Sequence, residues 1–126
     1  MITGPKKLRK IAKFCAEVLK IEVTLDIKYS DDPDCSECVS YTNGTFTLLI
    51  QDWLKGSDLI HTVAHEMVHV WQHVRGDLVT DYDREVWIWK GIEFANPSSV
   101  EAYLLMPWEL EARSLEAWLE WKWRHR

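Results

Sequence analysis

The sequence predicts an α+β domain, and three observations carry that expectation. Residues 21–29 alternate apolar and polar side chains without a break, as a strand with one buried face does. Asn43-Gly44 joins two strand-like runs with the dipeptide that tight hairpin turns favour. Three other stretches instead repeat apolar residues at the three- and four-residue spacing of helices.

The elements follow in order. Residues 5–20 form the first helix: Pro5 suits its first turn, and Leu8, Ile11, Ala12, Cys15, Val18 and Leu19 share one face while the other is basic. The strand over 21–29 turns Ile21, Val23, Leu25, Ile27 and Tyr29 inward. Residues 30–38, SDDPDCSEC, have loop composition. Residues 39–42 and 45–50 flank the Asn-Gly turn, so the expected sheet is small and mainly antiparallel. The next helix opens at Gly56-Ser57-Asp58, with Ser57 as cap and Asp58 near the positive end of the dipole, and runs to about Arg75, before Gly76. From Gly76 to Met106 only a short strand near residues 85–90 and a loop at Asn96-Pro97 stand out. Pro107 then starts a last helix over residues 108–123.

Composition narrows the class. The chain has 126 residues, 47% hydrophobic and 28% charged, which suits one domain over residues 1–126 with a core of its own. The net charge of −5 argues against phosphate binding by the whole surface. The charge is uneven, however: residues 1–20 carry six bases and one acid, and residues 21–60 carry two bases and eight acids. A basic leading helix of this kind is ordinarily a solvated face, with nucleic acid as the alternative partner. No apolar run reaches the ~20 residues of a membrane span, and MITGPKKLRK lacks the apolar region of a secretory signal. Three cysteines, an odd count, fit a reducing cytoplasmic setting. Cys35-x-x-Cys38 is a metal or redox pair in form, but it lacks a second pair, so an incidental role is the expectation.

The chemistry is concentrated in the central helix as His65-Glu66-Met67-Val68-His69, the HExxH pattern. Histidines four apart lie on one helical face, about 6 Å apart along the axis, so both rings can meet one metal ion. Glu66 is then placed to act on a metal-activated water without being a ligand itself. A catalytic zinc takes three protein ligands and keeps one position open. His73 stands about 12 Å along the axis from His65, and His61 equally far from His69, too far for one ion. The third ligand must come from another element, and the last helix offers Glu109 and Glu111 beside the apolar stripe of Trp108, Ala112, Leu115 and Leu119. Their alternative role is that of solvated acids at a helix start.

The run from Thr62 to Gln72, followed by Arg75-Gly76-Asp77-Leu78, Trp89-Lys90-Gly91, Tyr103 and Pro107-Trp108-Glu109-Leu110-Glu111-Ala112, resembles a family of small phage and bacterial zinc metallopeptidases. It is similar, more distantly, to the minimal gluzincins and to SprT-like proteins. The resemblance covers about half the chain, and WKG with PWExEA is more specific than HExxH alone. It implies a zincin-like fold, with the HExxH helix beneath the sheet and a glutamate helix across a cleft. It also implies Zn2+ held by His65, His69 and Glu109, because Glu109 with Ala112 matches the ExxA setting of gluzincin ligands; Glu111 is the reserve. For a phage-encoded chain the compartment is the host cytoplasm. Arg113 stands where many gluzincins carry an aspartate that orients a zinc histidine, which leaves that support unassigned.

Motif and resemblance together imply a zinc-dependent peptidase acting on protein or peptide substrates, with Glu66 as general base. Tyr103 is the candidate donor to the developing oxyanion, with Tyr82 in reserve. Residues 45–50, as a sheet edge, would align an extended peptide. The competing readings are a non-catalytic or regulatory zinc-binding protein and a SprT-like protease of DNA-bound proteins, the latter resting on Lys6, Lys7, Arg9, Lys10 and Lys13. Eight tryptophans remain. Trp71, Trp89 and Trp108 fall within the motifs and are expected to wall the metal site. Trp118, Trp121 and Trp123 fall at roughly 280°, 220° and 60° from Trp108 on a helical wheel, so one face cannot bury all three. At least one is left exposed, covered by the amino-terminal segment, or available to a second copy of the chain.

Overall fold

A computed structural model describes the backbone of residues 1–32 and 37–126, and the side chains of residues 1–32 and 41–126. The order is β1 (Ile2–Thr3), α1 (Lys6–Leu19), β2 (Leu25–Ser30), β3 (Glu37–Thr42), β4 (Thr45–Gln51), α2 (Gly56–Val74), β5 (Leu78–Asp81), β6 (Val86–Trp89), β7 (Ile92–Ala95), α3 (Val100–Leu104) and α4 (Pro107–Arg124). The class is α+β. Among the described residues no helix is long and apolar enough to cross a membrane. The Cys35-x-x-Cys38 pair lies outside the described side chains.

The main sheet is mixed rather than mainly antiparallel. Its order is β1-β2-β4-β3, with β1 and β4 both parallel to β2 and only β3 antiparallel to its neighbour. The physical reason is hydrophobicity. Of the two hairpin strands, TFTLLIQ can bury Phe46, Leu48 and Ile50 on one face and takes the centre, leaving ECVSYT at the edge. The β4 strand therefore pairs on both sides, which removes residues 45–50 as a free edge for an incoming peptide.

The alternation over residues 21–29 survives in burial more than in pairing. Lys20 ends α1 in a left-handed conformation, and the ladder with β4 begins only at Leu25. Ile21 and Val23 still pack on the core, but Tyr29, expected inside, is exposed. Gly4 sits where β1 gives way to α1, at φ 141°, and a Cβ there would stand 2.1 Å from the Ile27 carbonyl oxygen. Only glycine allows so close an approach.

Two apolar clusters organise the interior. The larger joins Leu8, Ile11 and Cys15 of α1 and Ile27, Leu48 and Ile50 of the sheet to Val63, Met67 and Val70 of α2 and Ala112 and Leu119 of α4. The smaller holds Leu78, Trp89 and Trp108, with Trp87 and Phe94 packed against it. It belongs to an antiparallel sheet, β5-β6-β7, where the sequence suggested one strand. These strands are four residues each, too short to display a period. The Lys90-Gly91 turn between β6 and β7 has positive φ at both residues (48° and 82°), the geometry that Asn-Gly usually signals.

Candidate metal centre

Helices α2 and α4 lie against each other in opposite directions, as their polar contacts record. Ser57 and His61 meet Glu120, His65 meets Glu116 and Glu109, His69 meets Glu109, and Gln72 meets the Trp108 carbonyl oxygen. Ser57 thus donates across to α4 at 2.7 Å instead of capping its own helix, whose N-cap is Lys55. Apolar residues of α2 and α4 bind the other side of this contact, and His61, His65, His69, Glu109 and Glu116 of the ladder line a cleft of about 700 Å³. The cleft is closed on its far side by β5, β6 and α3, through residues such as Thr80, Trp87 and Tyr103.

At the middle of the ladder three groups converge. Nε2 of His65 lies 3.1 Å from Nε2 of His69 and 3.0 Å from Oε2 of Glu109, while Nε2 of His69 lies 3.1 Å from Oε1 of Glu109. Three atoms on a tetrahedron with bonds of about 2.0 Å stand about 3.3 Å apart, so this donor set has the size of a zinc site. Glu66, 3% exposed, holds Oε1 4.0 Å from the same His65 nitrogen, one step outside the triangle. His65, Glu66 and His69 together form a group able to hold a metal ion.

The outer nitrogens settle how the rings are held. Nδ1 of His65 donates to Oε2 of Glu116 at 3.2 Å, and Nδ1 of His69 donates to Oε1 of Gln72 at 2.8 Å. The Gln72 amide is oriented in turn, because its Nε2 donates to the Trp108 carbonyl oxygen and to Oε1 of Glu111, both at 3.0 Å. With both Nδ1 atoms donating outward, each Nε2 points to the centre, where it donates to Glu109 while protonated and offers its lone pair once that proton is lost. Burial opposes charge on His65, yet hydrogen bonds to Glu109 and Glu116 and the charge of Glu66 outweigh it, pushing its pKa up to about 10. His69 is raised on balance as well: burial lowers it, and Glu109 and Glu66 more than compensate. Burial would raise Glu109, but hydrogen bonds from His65, His69 and Tyr103 hold its carboxyl well below the usual range.

The structure therefore brings His65, Glu66, His69, Glu109 and Tyr103 to one place. Glu111 points to Gln72 and supports the site from outside. His73 donates Nδ1–H to the His69 carbonyl oxygen at 2.7 Å, and His61 pairs with Glu120; neither joins the triangle. Tyr82 lines the cleft but is exposed. Arg113 lines it too, donating to the Leu104 carbonyl oxygen, with Nη1 buried and lacking a hydrogen-bond partner among the described residues.

Two supporting residues were missed in the sequence, although their spacing held a signal. Glu116 lies seven residues after Glu109, two turns along the same face, and Gln72 lies three after His69. Of the tryptophans expected to wall the site, only Trp108 lines the cleft. Trp71 packs on the main core with Arg75 over its ring, and Trp89 belongs to the smaller cluster. Trp87 takes the expected place, stacked on Trp108 with ring centroids 5.3 Å apart. No family model matches the chain, and neither curated proteins nor solved structures yield a match.

Proposed function

We propose that the protein is a zinc-dependent peptidase of zincin-like architecture. The observation that carries the reading is the triangle of His65 Nε2, His69 Nε2 and the Glu109 carboxylate, with the Glu66 carboxylate beside it and open to a cleft. Zinc held by His65, His69 and Glu109 supplies Lewis-acid polarisation of a carbonyl and of a water. Glu66 takes a proton from the attacking water and returns it to the leaving amine. Tyr103, which hydrogen-bonds Glu109 and lines the cleft, is the donor nearest to hand for the developing oxyanion. Trp87 and Trp108 form the apolar wall that limits water beside these groups.

The test separates metal binding from hydrolysis. Zinc-loaded wild type and Glu66→Gln are expected to carry one ion each by elemental analysis, and His65→Ala and His69→Ala to lose it. Against a broad peptide library, Glu66→Gln should hydrolyse roughly 10²–10⁴-fold more slowly than the wild type. A zinc-loaded wild type that cleaves no peptide overturns the peptidase reading and leaves the metal site standing. Absence of zinc binding overturns both.

A further inference from the structure

A second cavity adjoins the metal cleft beside the last turn of α2. Its volume is about 490 Å³, within the range of roughly 300–1,000 Å³ typical of small-ligand sites. Phe46 of β4 and Leu78 of β5, 6% and 2% exposed, form its floor. The Phe46 ring lies 4.6 Å from the ring of Tyr41 in β3 and, edge-on, 6.1 Å from the ring of His73. Tyr41, Val74, Val79 and Tyr82 are all exposed and form the rim. Apolar side chains gathered around a concavity and left open to water mark a place that an apolar group fills.

The lining differs in kind from that of the cleft. No Asp, Glu, Lys or Arg lines the second cavity, whereas Glu66, Asp81, Glu85, Glu109, Arg113 and Glu116 all line the cleft. A charged group placed there would lose water and meet no charge of opposite sign, so the cavity selects against it. The rings of Phe46, Tyr41 and His73 instead offer the faces and edges on which another ring packs.

Its position along α2 ties it to the proposed reaction centre. His73, Leu78, Thr80 and Tyr82 line both cavities, so the two are continuous. His73 follows His69 by one turn, about 6 Å along the axis. Its ring is fixed there, because Nδ1–H donates to the His69 carbonyl oxygen at 2.7 Å. In an extended peptide, side chains on one side recur about every 6.6 Å. A peptide with its scissile carbonyl beside His65, His69 and Glu109 therefore brings a side chain one or two residues away to the second cavity.

We infer that this cavity is the specificity subsite of the proposed peptidase, taking a large apolar side chain, an aromatic ring above all, within two residues of the scissile bond. The assignment rests on the peptidase reading.

Two measurements test it. Cleavage of a peptide library by the zinc-loaded wild type should favour Phe, Tyr or Trp over Ala about 10–100-fold at one such position, the fold-change that full burial of the side chain corresponds to. Val79→Trp, which fills the cavity, and Val74→Lys, which sets a cation at its rim, should each cut that ratio about 10-fold or more. Both positions are exposed, and circular dichroism shows that each variant folds. Separately, N-acetylphenylalaninamide added to the metal-free protein should shift the amide resonances of Val74, Val79 and Thr80, and N-acetylalaninamide should not. Cleavage without the aromatic preference, or with one that both folded variants leave unchanged, overturns the subsite and leaves the peptidase reading standing. Absence of the resonance shifts overturns it as well. Movement of the same resonances on dilution of the protein alone gives the cavity to a second copy of the chain, and also overturns it. A zinc-loaded wild type that cleaves nothing removes the peptidase reading and the substrate assignment with it.

Discussion

Glu116 holds His65 from the side opposite Glu109: its Oε2 lies 3.2 Å from Nδ1, while Glu109 Oε2 lies 3.0 Å from Nε2. One acid thus faces the centre and the other fixes the ring that reaches it. Glu116→Ala should weaken zinc binding about 10–100-fold, and Glu116→Gln, which keeps an acceptor, should weaken it less. Competition with a chromogenic chelator reads both. Equal losses in the two variants contradict the orienting role.

Zinc uptake is expected to depend on pH through His65. Its folded-state pKa of about 10 lies above the ordinary 6.5, so in the metal-free protein the protonated ring contributes stability in full below pH 6.5 and loses it as pH rises through about 10. Zinc competes with that proton, so affinity climbs with pH over this interval, and loading at pH 7 releases at least about one proton per ion. Calorimetry in buffers of differing ionisation enthalpy counts it, and a count of zero contradicts the assignment.

Tyr103→Phe keeps the ring and removes the hydroxyl that bonds Glu109. If that hydroxyl serves the reaction, kcat should fall by about 10²–10³ with KM and zinc content little changed. A loss of zinc with no separate fall in kcat assigns Tyr103 to holding the ligand.

Gly4→Ala should destabilise the fold by more than about 1 kcal/mol, because the new Cβ meets the Ile27 carbonyl oxygen and the backbone holds a φ of 141°. Urea unfolding monitored by tryptophan fluorescence measures it. An unchanged midpoint means that β1 is not needed to hold α1 in place.

The elements with the longest periods were the most legible. Leu8, Ile11, Cys15, Val63 and Val70 face inward as helical spacing requires, and Leu25 and Ile27 as strand alternation requires. Sheet order was not legible, because alternation specifies a face but no neighbour; parallel pairing of β2 with β4 follows from which hairpin strand is more apolar. The small sheet escaped because Leu78–Asp81, Val86–Trp89 and Ile92–Ala95 are each four residues long. At the site, His65, Glu66 and His69 were visible as a local pattern. Glu116 and Gln72 act through contacts made only when α2 and α4 pack, so spacing within one helix could place them on the right face but not name their partner.

The two apolar clusters meet along a single turn of α4: Trp108 belongs to the smaller and Ala112 to the larger, with Glu109 between them. Glu109, the proposed third ligand, is therefore anchored between two apolar clusters at once. Opening of the small sheet alone is expected to free Trp108 and leave the proposed site with its two histidines, while the main core stays intact. Amides of β5–β7 should exchange with solvent sooner than those of β2 and β4, and zinc should slow that exchange more than it slows exchange in the main sheet. In that case the ion acts as the clasp that fastens the small sheet to the rest of the molecule.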